Sequence, residues 1–142
     1  ASKWKTNDLL NFDLNYTYTS TYDGAEQDNS STTYKNAQMV RVPRHMVNLA
    51  TKVKFPNYKN LNLTLNTRWS DTVRDYGNGN NGNYNDEVLD DYLVNDLSLN
   101  YRLMDTYELF FDINNMFDEK YNTALQYSQM DRTFNFGIKR SY

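Results

Sequence analysis

The segment 134–142 has the sequence Phe-Asn-Phe-Gly-Ile-Lys-Arg-Ser-Tyr, and its first half alternates apolar residues with polar or small ones. Alternation with a period of two is typical of a β-strand that has one apolar and one polar face. The nine residues of the segment also match the ~9–11 residues with which a tilted strand crosses a bilayer. The segment therefore predicts a strand of membrane-spanning length.

The same alternation recurs upstream, and no stretch shows a helical period. Five further segments alternate in this way: 10–19, 47–55, 61–69, 97–103 and 107–113. The sequence therefore predicts an all-β, antiparallel fold of six strands.

The links between these strands alternate between short and long. Residues 56–60 and 104–106 make short links, whereas the polar stretches 23–38, 76–90 and 118–131 make long ones. Short turns at one end and long loops at the other are typical of outer-membrane β-barrels, in which the turns are periplasmic and the loops extracellular. By this rule the first, third and fifth strands run outward.

Aromatic residues mark both ends of the predicted strands. They are Phe55, Tyr101, Tyr107 and Tyr142 at the inner ends, and Tyr16, Tyr18, Trp69, Phe117 and Phe134 at the outer ends. Aromatic girdles of this kind form at the two membrane interfaces. A soluble antiparallel sandwich or barrel also explains the alternation, but not the one-sided loops or the two girdles.

Composition agrees with a barrel wall. Mean hydropathy is −0.89 and no run of about 18 apolar residues exists, so no transmembrane helix is predicted. A barrel strand needs apolar residues on its lipid side alone, which keeps mean hydropathy low. The net charge of −3 gives no reason to expect nucleic acid, and the absence of cysteine excludes thiolate metal sites and disulfides.

Four motifs in order resemble those near the C-terminus of TonB-dependent outer-membrane receptors. Asn115-Met116-Phe117-Asp118-Glu119-Lys120-Tyr121 is similar to the Asn-Leu-Phe-Asp…Tyr motif of that family, which Asn115, Phe117, Asp118 and Tyr121 carry here. The others are Val42-Pro43-Arg44-His45, the run 89–97 and the final strand from Arg132. The likeness covers residues 7–142, and departs from the family at Arg140, where an aromatic residue is usual.

The resemblance implies a role in transport. Such receptors are 22-stranded outer-membrane barrels that enclose a plug domain and import iron-siderophores, haem or cobalamin with energy from TonB. The chain, residues 1–142, would supply strands 17 to 22, without the plug and earlier strands. The barrel-assembly machinery would read its final strand through Phe134, Phe136, Gly137, Ile138 and Tyr142.

Six strands do not close a transmembrane barrel, since the smallest type has eight. The strands at 10–19 and 134–142 would lack partners, and lipid does not tolerate open sheet edges. We therefore expect the remaining strands and the plug to lie on another segment or chain.

Polar residues that alternate with the apolar ones are expected to line the lumen and face the plug. They are Asn48, Lys52, Asn62, Asn66, Arg68, Asn100, Arg102, Asp112 and Asn114. Substrate contacts are expected from outer-loop residues instead, because loops carry binding on rigid scaffolds. Tyr76, Tyr84 and Tyr127 are the candidates.

Catalytic and metal sites are not predicted, and no cofactor is expected. His45, the only histidine, lies in phase with the lipid face, where a phospholipase-like enzyme would need it, but no serine shares its register. The acidic group Asp86-Glu87-Asp90-Asp91 lacks the spacing of a calcium loop and is interpreted as a solvated loop. An outer-membrane enzyme and a soluble β-sheet binding module remain the alternative functions.

Overall fold

The chain folds entirely into strands and their connections in the part that the computed structural model describes, residues 2–5, 9–21, 38–77, 85–104 and 106–140. The strands are β1 Ser2–Lys5, β2 Leu10–Tyr18, β3 His45–Phe55, β4 Tyr58–Ser70, β5 Val73–Gly77, β6 Asn85–Leu89, β7 Tyr92–Leu103, β8 Tyr107–Asn114, β9 Asn122–Ala124, β10 Tyr127–Ser128 and β11 Thr133–Arg140. No helix in these ranges is long and apolar enough to cross a membrane.

Seven strands form one antiparallel sheet in the order β1-β2-β3-β4-β7-β8-β11. The six predicted strands are β2, β3, β4, β7, β8 and β11, so the predicted all-β antiparallel class is confirmed. The first short link is tighter than predicted, because β4 already begins at Tyr58. In this sheet each strand pairs with the strands that precede and follow it along the chain, and the three long connections leave from the same end.

Two features differ from the prediction. Strand β1 pairs with β2 from Ser2 opposite Leu14 to Lys5 opposite Asn11, so the strand predicted at 10–19 has two partners rather than an open edge. Two of the long links are also not irregular, because they contain the hairpins β5–β6 and β9–β10. A single tryptophan among four residues gave β1 no alternation to detect.

The strand register separates two chemically different faces. On one face Leu65 lies opposite Leu97, and Leu97 lies opposite Ile113. On the other face, one residue along, Asn66 lies opposite Asp96. Because side chains alternate along a strand, this register places most apolar residues of the paired strands on the same side, with Val94 and Phe110 among the exceptions. One polar pair interrupts the apolar face, where the Thr67 hydroxyl donates to Asn95 Oδ1 at 2.7 Å.

The apolar face is exposed. Phe134, Phe136 and Ile138 of β11 keep 58 %, 83 % and 61 % of their surface accessible. A soluble sandwich would cover such a face with a second sheet. In the described ranges the two remaining sheets are the small hairpins, and the buried hydrophobic residues are Leu89 and Val94 alone.

What the chain does bury lies where the long connections leave the sheet. The buried residues there are Ser70, Asp75, Leu89, Val94, Asn95 and Asn115. They stand at strand ends or within the β5–β6 hairpin. The described structure therefore concentrates its packing at the loop end.

Candidate functional site

The polar face of the main sheet carries a groove of about 390 Å³. The polar-face residues that line it are Asp13, Asn15, Asn48, Asn66, Arg68 and Asp96. Lys52 Nζ lies 3.5 Å from the Asp13 carboxylate on the same face. The nine polar residues predicted to share one face do so by register. The face offers hydrogen-bond donors, acceptors and both signs of charge.

Asp75 joins the three long connections at the loop end. Its carboxylate has no exposed surface, and Oδ1 accepts a 2.7 Å ion-paired hydrogen bond from Arg41 Nε. Oδ2 accepts a 2.6 Å bond from the backbone N–H of Leu125. Arg41 belongs to the β2–β3 connection, Asp75 to the β4–β7 connection and Leu125 to the β8–β11 connection. We call this group of three residues the Asp75 junction.

Backbone contacts extend the junction. The N–H of Arg41 donates to the carbonyl of Arg74 at 2.8 Å, and Arg74 Nη2 donates to the carbonyl of Gln38, also at 2.8 Å. Gln38 Nε2 donates in turn to the carbonyl of Thr19, and Gln38 Oε1 accepts from the N–H of Thr21. The exit of β2, the entry to β3 and the β5–β6 hairpin are thus hydrogen bonded to one another.

The family-like motif at 115–121 closes the base of the β8–β11 connection. Asn115 is buried, and its Nδ2 donates to the carbonyls of Glu119 at 2.9 Å and Met130 at 3.3 Å. Asn115 Oδ1 accepts from the N–H of Glu119 at 2.8 Å. Asn115 also has a φ of 51°, a left-handed conformation that asparagine tolerates better than most residues. The asparagine therefore ties both ends of the loop together.

Asp118 continues this closure. Its Oδ1 accepts from the N–H of Arg132 at 2.9 Å, and this bond lowers the pKa of the Asp118 carboxyl. Lys120 Nζ lies 2.6 Å from Asp131 and 3.4 Å from Asp118, and the Asp131 hydrogen bond chiefly raises the lysine pKa. The charged groups thus span the loop from its first turn to the start of β11.

The other two motif residues lie apart. Phe117 is 67 % exposed, whereas the ring of Tyr121 contacts that of Tyr92 at a centroid distance of 4.3 Å. All four motif residues therefore lie in the loop that leads into β11, and three of them make contacts that hold it.

Among the predicted substrate-binding tyrosines the structure describes the side chain of Tyr127, and the binding role of all three stays a prediction. Tyr127 lies in β10 and is 67 % exposed. Tyr76 lies in β5 opposite Asp86, and Tyr84 lies outside the described residues. The structure adds Asp75 and Arg41, which the sequence did not single out, because neither belongs to an alternating segment or a recognisable motif.

The predicted assembly residues occupy both faces of β11. Phe134, Phe136 and Ile138 project from the apolar face, Gly137 lies on the polar one, and Tyr142 is outside the described residues. Their role in assembly stays a prediction.

His45 has aromatic neighbours. Its Nδ1 is hydrogen bonded to the Tyr16 hydroxyl at 2.8 Å, and the Tyr18 ring lies 5.3 Å away. Ser70, the serine nearest in register, pairs with Met46 and so projects to the opposite face. Within the described ranges no three His, Asp or Glu side chains are grouped to hold a metal ion.

Comparisons with solved structures show the fold. The pyoverdine outer membrane receptor FpvA of Pseudomonas aeruginosa PAO1 superposes with a TM-score of 0.74 at 19 % identity, over 96 % of this chain and 20 % of FpvA. The ferric-catecholate import receptor Fiu of K12 E. coli gives 0.72 at 15 % identity, over 94 % of this chain and 19 % of Fiu. The siderophore receptor PiuA of Acinetobacter baumannii gives 0.61 at 22 % identity, over 97 % of this chain and 19 % of PiuA. The chain spans about a fifth of these receptors.

Comparisons of sequence show the family. A search of curated proteins finds no match. The family model described as TonB dependent receptor-like, beta-barrel, matches residues 1–116, well over half of the chain. The resemblance drawn from the four motifs is confirmed: the chain belongs to the TonB-dependent receptor β-barrel family.

Proposed function

We propose that the chain is a section of the barrel wall of an outer-membrane receptor that imports a ferric siderophore with energy supplied through TonB. In this proposal residues 1–142 form the C-terminal part of the barrel. The earlier strands and the plug domain, which contacts TonB, lie on another segment or chain. Among scarce nutrients, siderophores are favoured over haem and cobalamin because the similar structures named above are a pyoverdine receptor, a ferric-catecholate import receptor and a siderophore receptor.

The separation of the two faces is the observation that carries the proposal. An exposed apolar face that extends over the whole sheet suits acyl chains, which need no hydrogen bonds from the protein. The opposite face, with its groove between Asp13 and Asp96, suits contact with a folded plug and with water. Tyr16, Tyr18 and Phe134 are more than half exposed near the loop end, which suits an interfacial girdle.

The long connections indicate which end of the sheet faces the outside of the cell. The β2–β3, β4–β7 and β8–β11 connections all leave there, and the Asp75 junction holds them together. In outer-membrane barrels the long loops are extracellular. Substrate would therefore meet this layer first, and Tyr127 is a candidate contact because it is exposed within the layer.

Membrane residence is tested on the full-length receptor that contains this chain. We expect it in the outer-membrane fraction, soluble only with detergent, and with a gel mobility that changes on heating as the barrel unfolds. A monodisperse protein without detergent would instead support a soluble binding module.

Transport is tested in an iron-starved strain that lacks the receptor gene. Complementation should restore growth on a ferric siderophore, and deletion of tonB should abolish that growth. Haem is the parallel iron source in this strain, and cobalamin uptake is measured separately in a cobalamin-requiring strain. Uptake of haem or cobalamin without uptake of a ferric siderophore would contradict the siderophore class. His45→Ala should leave uptake unchanged, and loss of a phospholipase activity in this variant would favour the enzyme instead.

A further inference from the structure

We propose that Asp75 is a positioning residue that holds the described parts of three outer connections together as one preorganised binding surface. The inference rests on the proposed function for the identity of the ligand, a ferric siderophore. Its structural half, that the three loops form one unit, stands on the contacts of the Asp75 junction.

The carboxylate of Asp75 constrains its surroundings because it is fully buried. A buried charge is tolerated when it is paired and hydrogen bonded, and is costly when a partner leaves. Arg41 Nε neutralises one oxygen at 2.7 Å, and the Leu125 N–H donates to the other at 2.6 Å. If the loop that carries Arg41 or the loop that carries Leu125 moved away, the Asp75 carboxylate would lose a hydrogen bond or become exposed to water.

The position of Arg41 shows the same constraint from the other side. Its φ of 61° is a conformation that residues other than glycine rarely adopt. A residue keeps such an unfavourable backbone conformation only where the surrounding contacts hold it in place. Here the backbone N–H of Arg41 is held by the Arg74 carbonyl and its side chain by Asp75, so backbone and side chain are both fixed.

The hairpins on either side of the junction are small. The β5–β6 hairpin pairs five residues with five, and β9–β10 pairs only Tyr127 and Ser128 with the opposite strand. An isolated two-stranded hairpin is marginally stable in water. Asp75 and Leu125 connect the two hairpins directly, so each limits the movement of the other.

A joined loop layer changes the energetics of binding. Loops that order only when ligand arrives lose conformational entropy at that moment, and this loss weakens binding. The described parts of the loops around Arg41, Asp75 and Leu125 are already fixed by the junction, so ordering them on binding costs less entropy. Asp75 itself has no exposed surface for the ligand, so its contribution is to position the residues around it.

The test measures the loops separately from binding. The chain has no cysteine, so Val88→Cys in β6 and Ser128→Cys in β10 can carry a pair of spin labels in the full-length receptor once cysteines elsewhere are replaced. Both positions are exposed. We expect a narrow distance distribution in the parent protein and a broad one after Asp75→Asn, which keeps the shape but removes the charge.

Matched variants separate the junction from general damage. Asp71→Asn makes the same change in the same connection, at a carboxylate that accepts from the adjacent Thr72 N–H, and should leave the distribution narrow. Arg41→Gln should broaden it and Arg41→Lys should broaden it less, since the half-exposed arginine can be changed without leaving a cavity. If Asp75→Asn does not assemble, the two Arg41 variants carry the test.

Binding supplies the second readout. We expect Asp75→Asn to weaken siderophore affinity by about tenfold, as expected when a few side chains must be ordered on binding. Narrow distributions in both Asp75→Asn and Arg41→Gln would overturn the junction, and unchanged affinity with broad distributions would overturn its role in binding. If the parent receptor binds no siderophore while the distances behave as expected, the proposed function fails and the loop unit stands.

Discussion

The ring of Phe110 lies directly over Gly137 on the polar face, where the two residues are cross-strand partners in β8 and β11. A Cβ at position 137 would stand 2.6 Å from Phe110 Cζ and 2.7 Å from Cε1. Lys139 Nζ is 5.3 Å from the centroid of the same ring. Gly137 therefore provides the space that lets an aromatic ring cover the strand, as aromatic residues do over glycine in other sheets.

Gly137→Ala should force the Phe110 ring away and destabilise the receptor by about 1–3 kcal/mol, the usual cost of overpacking. The measurement is the temperature at which gel mobility changes on heating. Asn135→Ala, on the same face of β11, is the control and should have a smaller effect. Combining Gly137→Ala with Phe110→Leu should cost less than the sum of the single changes; full additivity would contradict the contact.

Leu97→Lys should be far more damaging than Ser98→Lys. Leu97 lies between Leu65 and Ile113 on the apolar face, where a lysine near the bilayer midplane costs about 2–4 kcal/mol. Ser98 lies between Thr64 and Asp112 on the polar face, where a lysine gains an acidic neighbour. Denaturant unfolding in lipid vesicles measures both, and equal effects would refute the assignment of the faces.

Asn115→Ala should lower the stability of the folded β8–β11 loop by about 2 kcal/mol or more, because each lost hydrogen bond contributes about 0.5–1.5 kcal/mol. Asn115→Gly loses the same bonds but relieves the φ of 51°, so it should be milder than alanine by about 1 kcal/mol. Chemical unfolding and the rate of proteolysis between β8 and β11 are the readouts. Alanine and glycine variants that behave alike would show that the backbone conformation carries no strain.

Acid should loosen the same loop through Asp118. The folded state lowers the pKa of this carboxyl from 3.8. The stabilisation of the folded loop by the Asp118 carboxylate is therefore complete above that pH and is lost as pH falls below it. Lys120 has the opposite pH dependence. Because the folded state raises its pKa from 10.5, the stabilisation of the loop by the protonated lysine is lost as pH rises above that value. The mobility of a spin label at Ser128 should therefore increase below about pH 3.8, and Asp118→Asn should remove the acid step.

The main sheet could be predicted from the sequence because its pairing repeats a local pattern. Each strand from β2 to β11 of that sheet has mostly apolar residues at every second position, and the two short links show which strands are neighbours. Strand β1 escaped prediction because Ser2–Lys5 contains one apolar residue, and its stability comes from pairing with β2. Pairing partners are a property of the folded sheet, and a four-residue segment does not encode them alone.

The site was predicted less well, since its contacts join loops that are distant in sequence. The motif at 115–121 was detectable because its sequence resembles a family motif, and in the structure its residues contact one another and the nearby start of β11. Arg41, Asp75 and Leu125 carry no local signal, because their side chains and backbone meet only after the sheet brings three connections together. The three tyrosines were chosen for their residue type and their place in the predicted outer loops, and their role in binding stays a prediction.

The Asp75 junction also bears on the order in which the protein folds. Arg41 and Asp75 are 34 residues apart in sequence, and Asp75 and Leu125 are 50 apart. Contacts of such long range form late, since closing long stretches of chain costs entropy before any contact repays it. The short-range hairpins β3–β4 and β7–β8 should therefore form first and the contacts of the Asp75 junction last. We expect a slow final kinetic phase that reports the docking of the three connections on one another.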